Sequence, residues 1–296
     1  MNLRAVSLAF LMLALVACGG GSQQQAGGVD PATPDAGCDG SCAATPPSLT
    51  VSDVERIIAP AVAEAQARGV SATIAVVDRV GNVLGTFRMN GAATTVTVAS
   101  PGVGADGGLE GVNIVPDSMA AISKAVTGAY LSTEGNAFTS RTASQIVQDH
   151  FNPLDNQQPA GPLFGVQISQ LACSDLMNRF GGGAPGAGPF RSPLGLSADP
   201  GGLPLYKAGT VVGGIGVISD GLYSFDPDIS DVDIDDDEMI ATAGASGFAA
   251  PDMRRANRIA VDGRTLRFTD GSKTDLMSDP AAAPTFASIN NVAGSL

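Results

Sequence analysis

The 296-residue sequence predicts an α+β fold: an antiparallel sheet of about five strands flanked by helices, with long loop insertions and a C-terminal hairpin. Three features predict it. Apolar residues recur at helical spacing in separate stretches, short apolar runs come in pairs around Gly-, Asn- and Asp-containing turns, and helices and hairpins alternate along the chain.

The first seventeen residues hold one cation, Arg4, and then an apolar run from Ala5 to Val16 that is short for a membrane span, so residues 1–17 read as a signal peptide. Leu15 to Cys18 (LVAC) matches a bacterial lipobox, which makes Cys18 the expected lipidation site; an ordinary signal peptide cut nearby is the alternative. A lipidated cysteine anchors without spanning. Gly19 follows Cys18 where an inner-membrane retention signal carries Asp, so an outer-membrane lipoprotein of the cell envelope is expected. From Gly19 to Pro47 the chain is Gly, Gln, Ala, Pro, Asp and Ser with almost no large apolar residue, and residues 18–48 read as a flexible tether. Residues 49–296 then form a single domain, with insertions at about 93–116 and 150–200.

The formal charge is −13, or −14 once Arg4 leaves with the signal segment, which excludes nucleic acid as a partner on electrostatic grounds. With Cys18 on lipid, Cys38, Cys42 and Cys173 remain: either Cys38 and Cys42 close a small loop, or Cys173 pairs with one of them. The Cys38–Cys42 spacing is not the c-type haem attachment pattern, nor does it have companions for a zinc site.

The elements follow in order. Thr50 stands three residues before Asp53, a capping-box-like start, and Val54, Ile57, Ile58, Ala61, Val62 and Ala65 make one helical face that ends at Gly69, with a bend expected at Pro60. Residues 72–77 and 83–88 form a hairpin around the turn 78–82, and 93–116 read as an irregular insertion. A second helix starts near Asp117, with Met119, Ile122, Val126 and Tyr130 as its apolar stripe, and a third runs from about Ser140 to His150. Residues 163–168 read as a strand and 181–200 as loop; 203–206 and 211–218 make a second hairpin, 235–243 an acidic-started helix, and 258–268 a hairpin turning at Asp262-Gly263.

Three blocks in order resemble the GlcG/HbpS-like, haem-degrading family: Ile74 to Asn82 (IAVVDRVGN) with Phe87 to Ala92 (FRMNGA); Ile122 to Ala125 (ISKA); and Gly201 to Leu205 (GGLPL) with Val212 to Val217 (VGGIGV). Asp236 to Glu238 leading into Ile240, Ala241 and Gly244 resembles its closing helix. The resemblance implies the profilin-like fold of that family and a haem or related tetrapyrrole as ligand, for scavenging, storage or redox sensing, with homo-oligomers common. Arg88, Met89, Gly91, Lys124, His150, Gly202, Pro204 and Gly214 are the candidate cofactor-binding residues. Arg88 and Lys124 would neutralise propionates, or else stand as solvated bases at element edges. The glycines permit a close backbone approach, to a ligand or to another element. His150, the only imidazole, is either a haem-iron ligand or a helix-terminal residue, and Met89, Tyr130 and Cys173 are other donors with a core role as the alternative. No catalytic constellation is assigned. A non-haem protein-interaction module and a small-molecule enzyme or accessory protein are the rival functions; Asp78 and Lys124 converging in one pocket would favour the last. The run 226–238 holds eight acids in thirteen residues, either a solvated helix start or a calcium loop, but Asp231 stands where an EF-hand needs Gly.

Overall fold

The segment Thr73–Asp78 alternates between two apolar faces: Ile74 and Val76 point one way, Ala75 and Val77 the other, and all four are buried. Such a strand needs cover on both sides. In the computed structural model, which describes residues 47–99, 110–147, 194–226, 228, 231–261 and 263–296, it becomes the centre of the main sheet. Strands β1 (Thr73–Asp78), β2 (Val83–Met89), β5 (Gly202–Lys207), β6 (Thr210–Ile218) and β10 (Gly294–Ser295) run in the order β10-β2-β1-β6-β5, every pair antiparallel. The expected α+β architecture with an antiparallel five-stranded sheet and flanking helices is what the chain forms.

Helix α1 (Val51–Arg68) starts at the expected capping box, in which Thr50 and Asp53 satisfy each other's backbone N–H, and ends on Gly69 at φ 74°. Pro60 is accommodated inside it as one continuous helix. Together with α4 (Asp236–Gly244) it covers one sheet face, against Ile74, Val76, Phe87, Leu203, Ile215 and Val217. The opposite face is covered by α2 (Asp117–Tyr130). Of the expected stripe, Val126 is buried and Met119 and Ile122 pack partly buried against the same cluster, whereas Tyr130 is 38% exposed; the side in closest contact with the sheet is instead Ala121, Lys124, Ala125 and Gly128. Large side chains could not approach this sheet face, because glycines on it bring the helix backbone into contact.

Two further expectations need correction. The insertion at 93–116 carries strands β3 (Thr95–Val98) and β4 (Val115–Pro116), which form a second sheet with β7 (Leu222–Tyr223). The hairpin expected over 258–268 is reduced to a two-residue ladder, β8 (Ala260–Val261) with β9 (Arg264–Thr265). The last residues also join the fold: α5 (Phe286–Ile289) packs against α1, Phe286 meets Phe87 edge-on with ring centroids 5.9 Å apart, and β10 pairs with β2. Helix α3 (Ser140–Ile146) begins as expected, under a Thr139–Thr142 capping box. The signal segment, tether, Cys18, Cys38, Cys42, His150, the strand at 163–168, Cys173 and most of the loop at 181–200 lie outside the described residues. Among the described residues no helix is long and apolar enough to cross a membrane.

Candidate functional site

Gly202, Gly214 and Gly216 set the interior geometry. A Cβ on Gly214 would lie 2.1 Å from the Ala125 carbonyl oxygen, one on Gly216 2.1 Å from that of Ala121, and one on Gly202 2.3 Å from that of Lys124. Of the two roles open to these glycines, close approach to another element is the one they play here. Seating α2 this low carries Lys124 into the interior, where it is fully buried.

Its charge is met there. Lys124 Nζ donates to Asp237 Oδ2 at 2.6 Å, and Asp237 Oδ1 accepts from Ser219 Oγ at 2.5 Å. Asp199 Oδ2 lies 3.0 Å from Nζ but off a hydrogen-bonding direction, so that contact is purely electrostatic. Burial alone would lower the Lys124 pKa, yet Asp199 and Asp237, with Asp220 and Asp235 behind them, override burial and raise it. Burial pushes Asp199 well above the usual carboxylate range and Asp237 up to about 7, against the pull of Lys124 in both cases. One ammonium facing two such carboxyls means that one of them retains a proton near neutrality.

The next residue of α4 builds a second network. Glu238 accepts from Arg141 Nε at 2.9 Å and from the Asp270 N–H at 2.9 Å, and burial pushes it up to about 7 against the attraction of Arg141. Arg141 also reaches Asp226 and Asp270, each at 3.0 Å, and Arg267 reaches Asp226 at 2.8 Å. The acidic run 226–238 is therefore not wholly a solvated helix start: Asp226, Asp237 and Glu238 are interior counter-ions. Asp226, Asp231 and Asp233 can bring one oxygen each within 4.8 Å of one another.

The remaining sequence-predicted residues scatter. Arg88 sits on β2, its side chain 42% exposed, and its guanidinium is paired with the buried Asp117, which Thr73 also contacts. Met89 is in the core, its Sδ accepting from the Ala72 N–H at 3.4 Å. Gly91 supplies a left-handed turn residue at φ 89° after β2. Pro204 pairs with Gly214 on the edge strand β5, where no N–H is required of it. Tyr130 donates to the Val80 carbonyl at 2.9 Å over the first hairpin turn. Asp78 accepts from the N–H groups of Val80 and Asn82 inside that same turn, and Lys124 faces Asp199 and Asp237, so the acid–base pair Asp78–Lys124 does not form. Lys124, Gly202 and Gly214 come together as packed interior among the described residues.

A cleft of about 560 Å³ lies elsewhere, between α1 and the C-terminal segment, and it was missed because its second wall is formed by the tail. Arg56, Ala59, Pro60, Gly247, Pro284 and Phe286 line it. Arg56 stacks over Phe248 at 5.2 Å and keeps half of its side chain exposed. The lining mixes apolar and polar groups, and Glu55 stands in it beside Arg56, the one cation among the lining residues.

These features define an α+β domain with a glycine-seated helix and a buried charge cluster. Residues 49–100, which span α1, β1, β2 and β3, match the family described as haem degrading protein HbpS-like, the family that the first hairpin resembles. Similar solved structures include a PduOC:heme complex (20% identity, 68% of this chain and 96% of that one, TM-score 0.39) and the Klebsiella pneumoniae protein ORFY (18%, 68% and 90%, 0.37). A double mutant of Streptomyces reticuli HbpS is also similar (20%, 69% and 89%, 0.33). No curated protein matches the chain.

Proposed function

We propose that the protein binds haem or a related tetrapyrrole at the cell envelope, held to the outer membrane through lipid on Cys18, and serves in scavenging, storage or redox sensing. The observation that carries the reading is the HbpS-like match over 49–100, because the helix within it, α1, is one wall of the 560 Å³ cleft. Haem, when bound, supplies a redox-active iron. The chain's own part is to bury the porphyrin against Ala59, Pro60 and Phe286 and to set Arg56 beside a propionate; Arg88, the other predicted cation with an exposed side, would have to leave Asp117 to do the same.

The test is a haemin titration of the full chain by absorption spectroscopy, with His150→Ala and Arg56→Ala alongside. A Soret shift that saturates at a fixed ratio is expected, weakened several-fold by Arg56→Ala; its loss in His150→Ala assigns the axial ligand. A featureless, non-saturating titration sinks the reading. The rival it would favour is a non-haem interaction module, which draws on the absorption of Met89, Lys124, Gly202 and Gly214 into packing. The enzyme reading loses its acid–base pair with Asp78 in the turn.

A further inference from the structure

Two smaller clefts adjoin α4: one of about 320 Å³ against the segment 273–281, and one of about 190 Å³ whose walls include Leu203, Arg255, Phe268 and Asp270. Thr242 and Lys273 are the residues that line both. Thr242 Oγ1 is buried and has no hydrogen-bond partner, not even the back-bond to its own helix that a threonine commonly makes. A buried hydroxyl left unmet is destabilising, and valine would fill the same space without that penalty. Lys273 opens the short 3₁₀ turn Lys273–Asp275, is exposed, and has no carboxylate partner among the described residues, in a chain with 29 acids and 16 lysines and arginines. Ser246 adds a second hydroxyl, and Asp279 on the rim spends Oδ1 on the Ala281 N–H.

We propose that Thr242 and Lys273 form a binding site for a carboxylate: the hydroxyl donates to one oxygen and the ammonium neutralises the charge. The 320 Å³ cleft shares Ser246, Pro280 and Ala281 with the larger cleft along α1. The carboxylate therefore has two sources, a small free organic acid or a propionate of a porphyrin seated next door. The second source rests on the haem reading; the first does not.

Amide NMR shifts of the full chain, titrated with sodium propionate and separately with zinc protoporphyrin, distinguish them, with sodium chloride at equal ionic strength as reference. Saturable shifts around 242 and 273 are expected, with affinity reduced at least tenfold in Thr242→Val and in the surface variant Lys273→Gln. Thr242→Val should also melt a few degrees higher, since it removes an unmet buried hydroxyl. Response to the porphyrin alone identifies the ligand group as its propionate. Response to propionate, together with a featureless haemin titration, leaves this site standing and the haem reading fallen. No saturable shift with either probe, equal shifts in both variants, or a lower melting temperature for Thr242→Val would overturn the proposal.

Discussion

The two faces of the central sheet are built by opposite means. Toward α1 and α4 the sheet presents Ile74, Val76, Phe87, Leu203, Ile215 and Val217, and the layer is filled by large apolar side chains. Toward α2 it presents Gly214 and Gly216 beside Ala75, Val77 and Ile218, and over the glycines the layer is closed by backbone lying on backbone. The filled face excludes charge, because interdigitated side chains leave no room and no partner for an ion. The flush face admits one, because lowering the helix takes Lys124 to where carboxylates from α4 and from the loop before β5 can meet it. Close approach and buried charge are thus one arrangement.

The largest effect should come from Lys124→Met, which leaves Asp199 and Asp237 buried with no cation. Urea unfolding should show a loss of about 3–5 kcal/mol at pH 8, and a smaller loss at pH 5, where both carboxyls can be neutral. Equal loss at the two pH values would mean that the lysine acts by packing alone, and the contrast between the faces would fail.

Next in size is the response to one methyl group. Gly216→Ala forces a Cβ into the α2 backbone and should cost about 1–3 kcal/mol or more, whereas its neighbour Ile215→Val, on the filled face, should cost about 0.5–1.5 kcal/mol. A neutral Gly216→Ala would show that the helix does not sit flush in solution.

The last contrast is in pH dependence. Burial pushes Asp237 and Glu238 up to about 7 in the folded chain, against about 4 in the unfolded chain. Between those values the folded chain binds more protons than the unfolded one, so their stabilisation is complete below the lower value and is lost as pH rises to the upper one. Glu64 and Asp53, held low by their partners despite burial, act in the opposite sense, but only as pH falls below the ordinary carboxylate range. Melting temperature should therefore be a few degrees higher at pH 5 than at pH 8; a rise between those values would mean the interior carboxyls are ionised by their cations.

Much of the fold was legible. The capping box at Thr50, the start of α2 at Asp117, both main hairpins and α4 sit within a residue or two of their expected positions, because each is written by neighbours in the chain. The candidate site was much less so. Lys124 and Arg88 were recognisable as residues of interest, but whether they faced solvent or an acid was not. The α1 cleft and Thr242 were invisible, since each owes its character to the segment 271–287, which shows no periodic pattern of its own.

Sequence by itself determined the local elements, the antiparallel sheet and the HbpS-like character of the first hairpin, because helix caps, turns and apolar alternation depend on residues a few positions apart. Only the tertiary structure decided that the glycines serve a helix, that Lys124 is interior, and that the tail completes a cleft. Each of these depends on a partner far along the chain, 113 residues in the case of Lys124 and Asp237. Burying a charge is governed by whether such a partner arrives, and no local pattern records it.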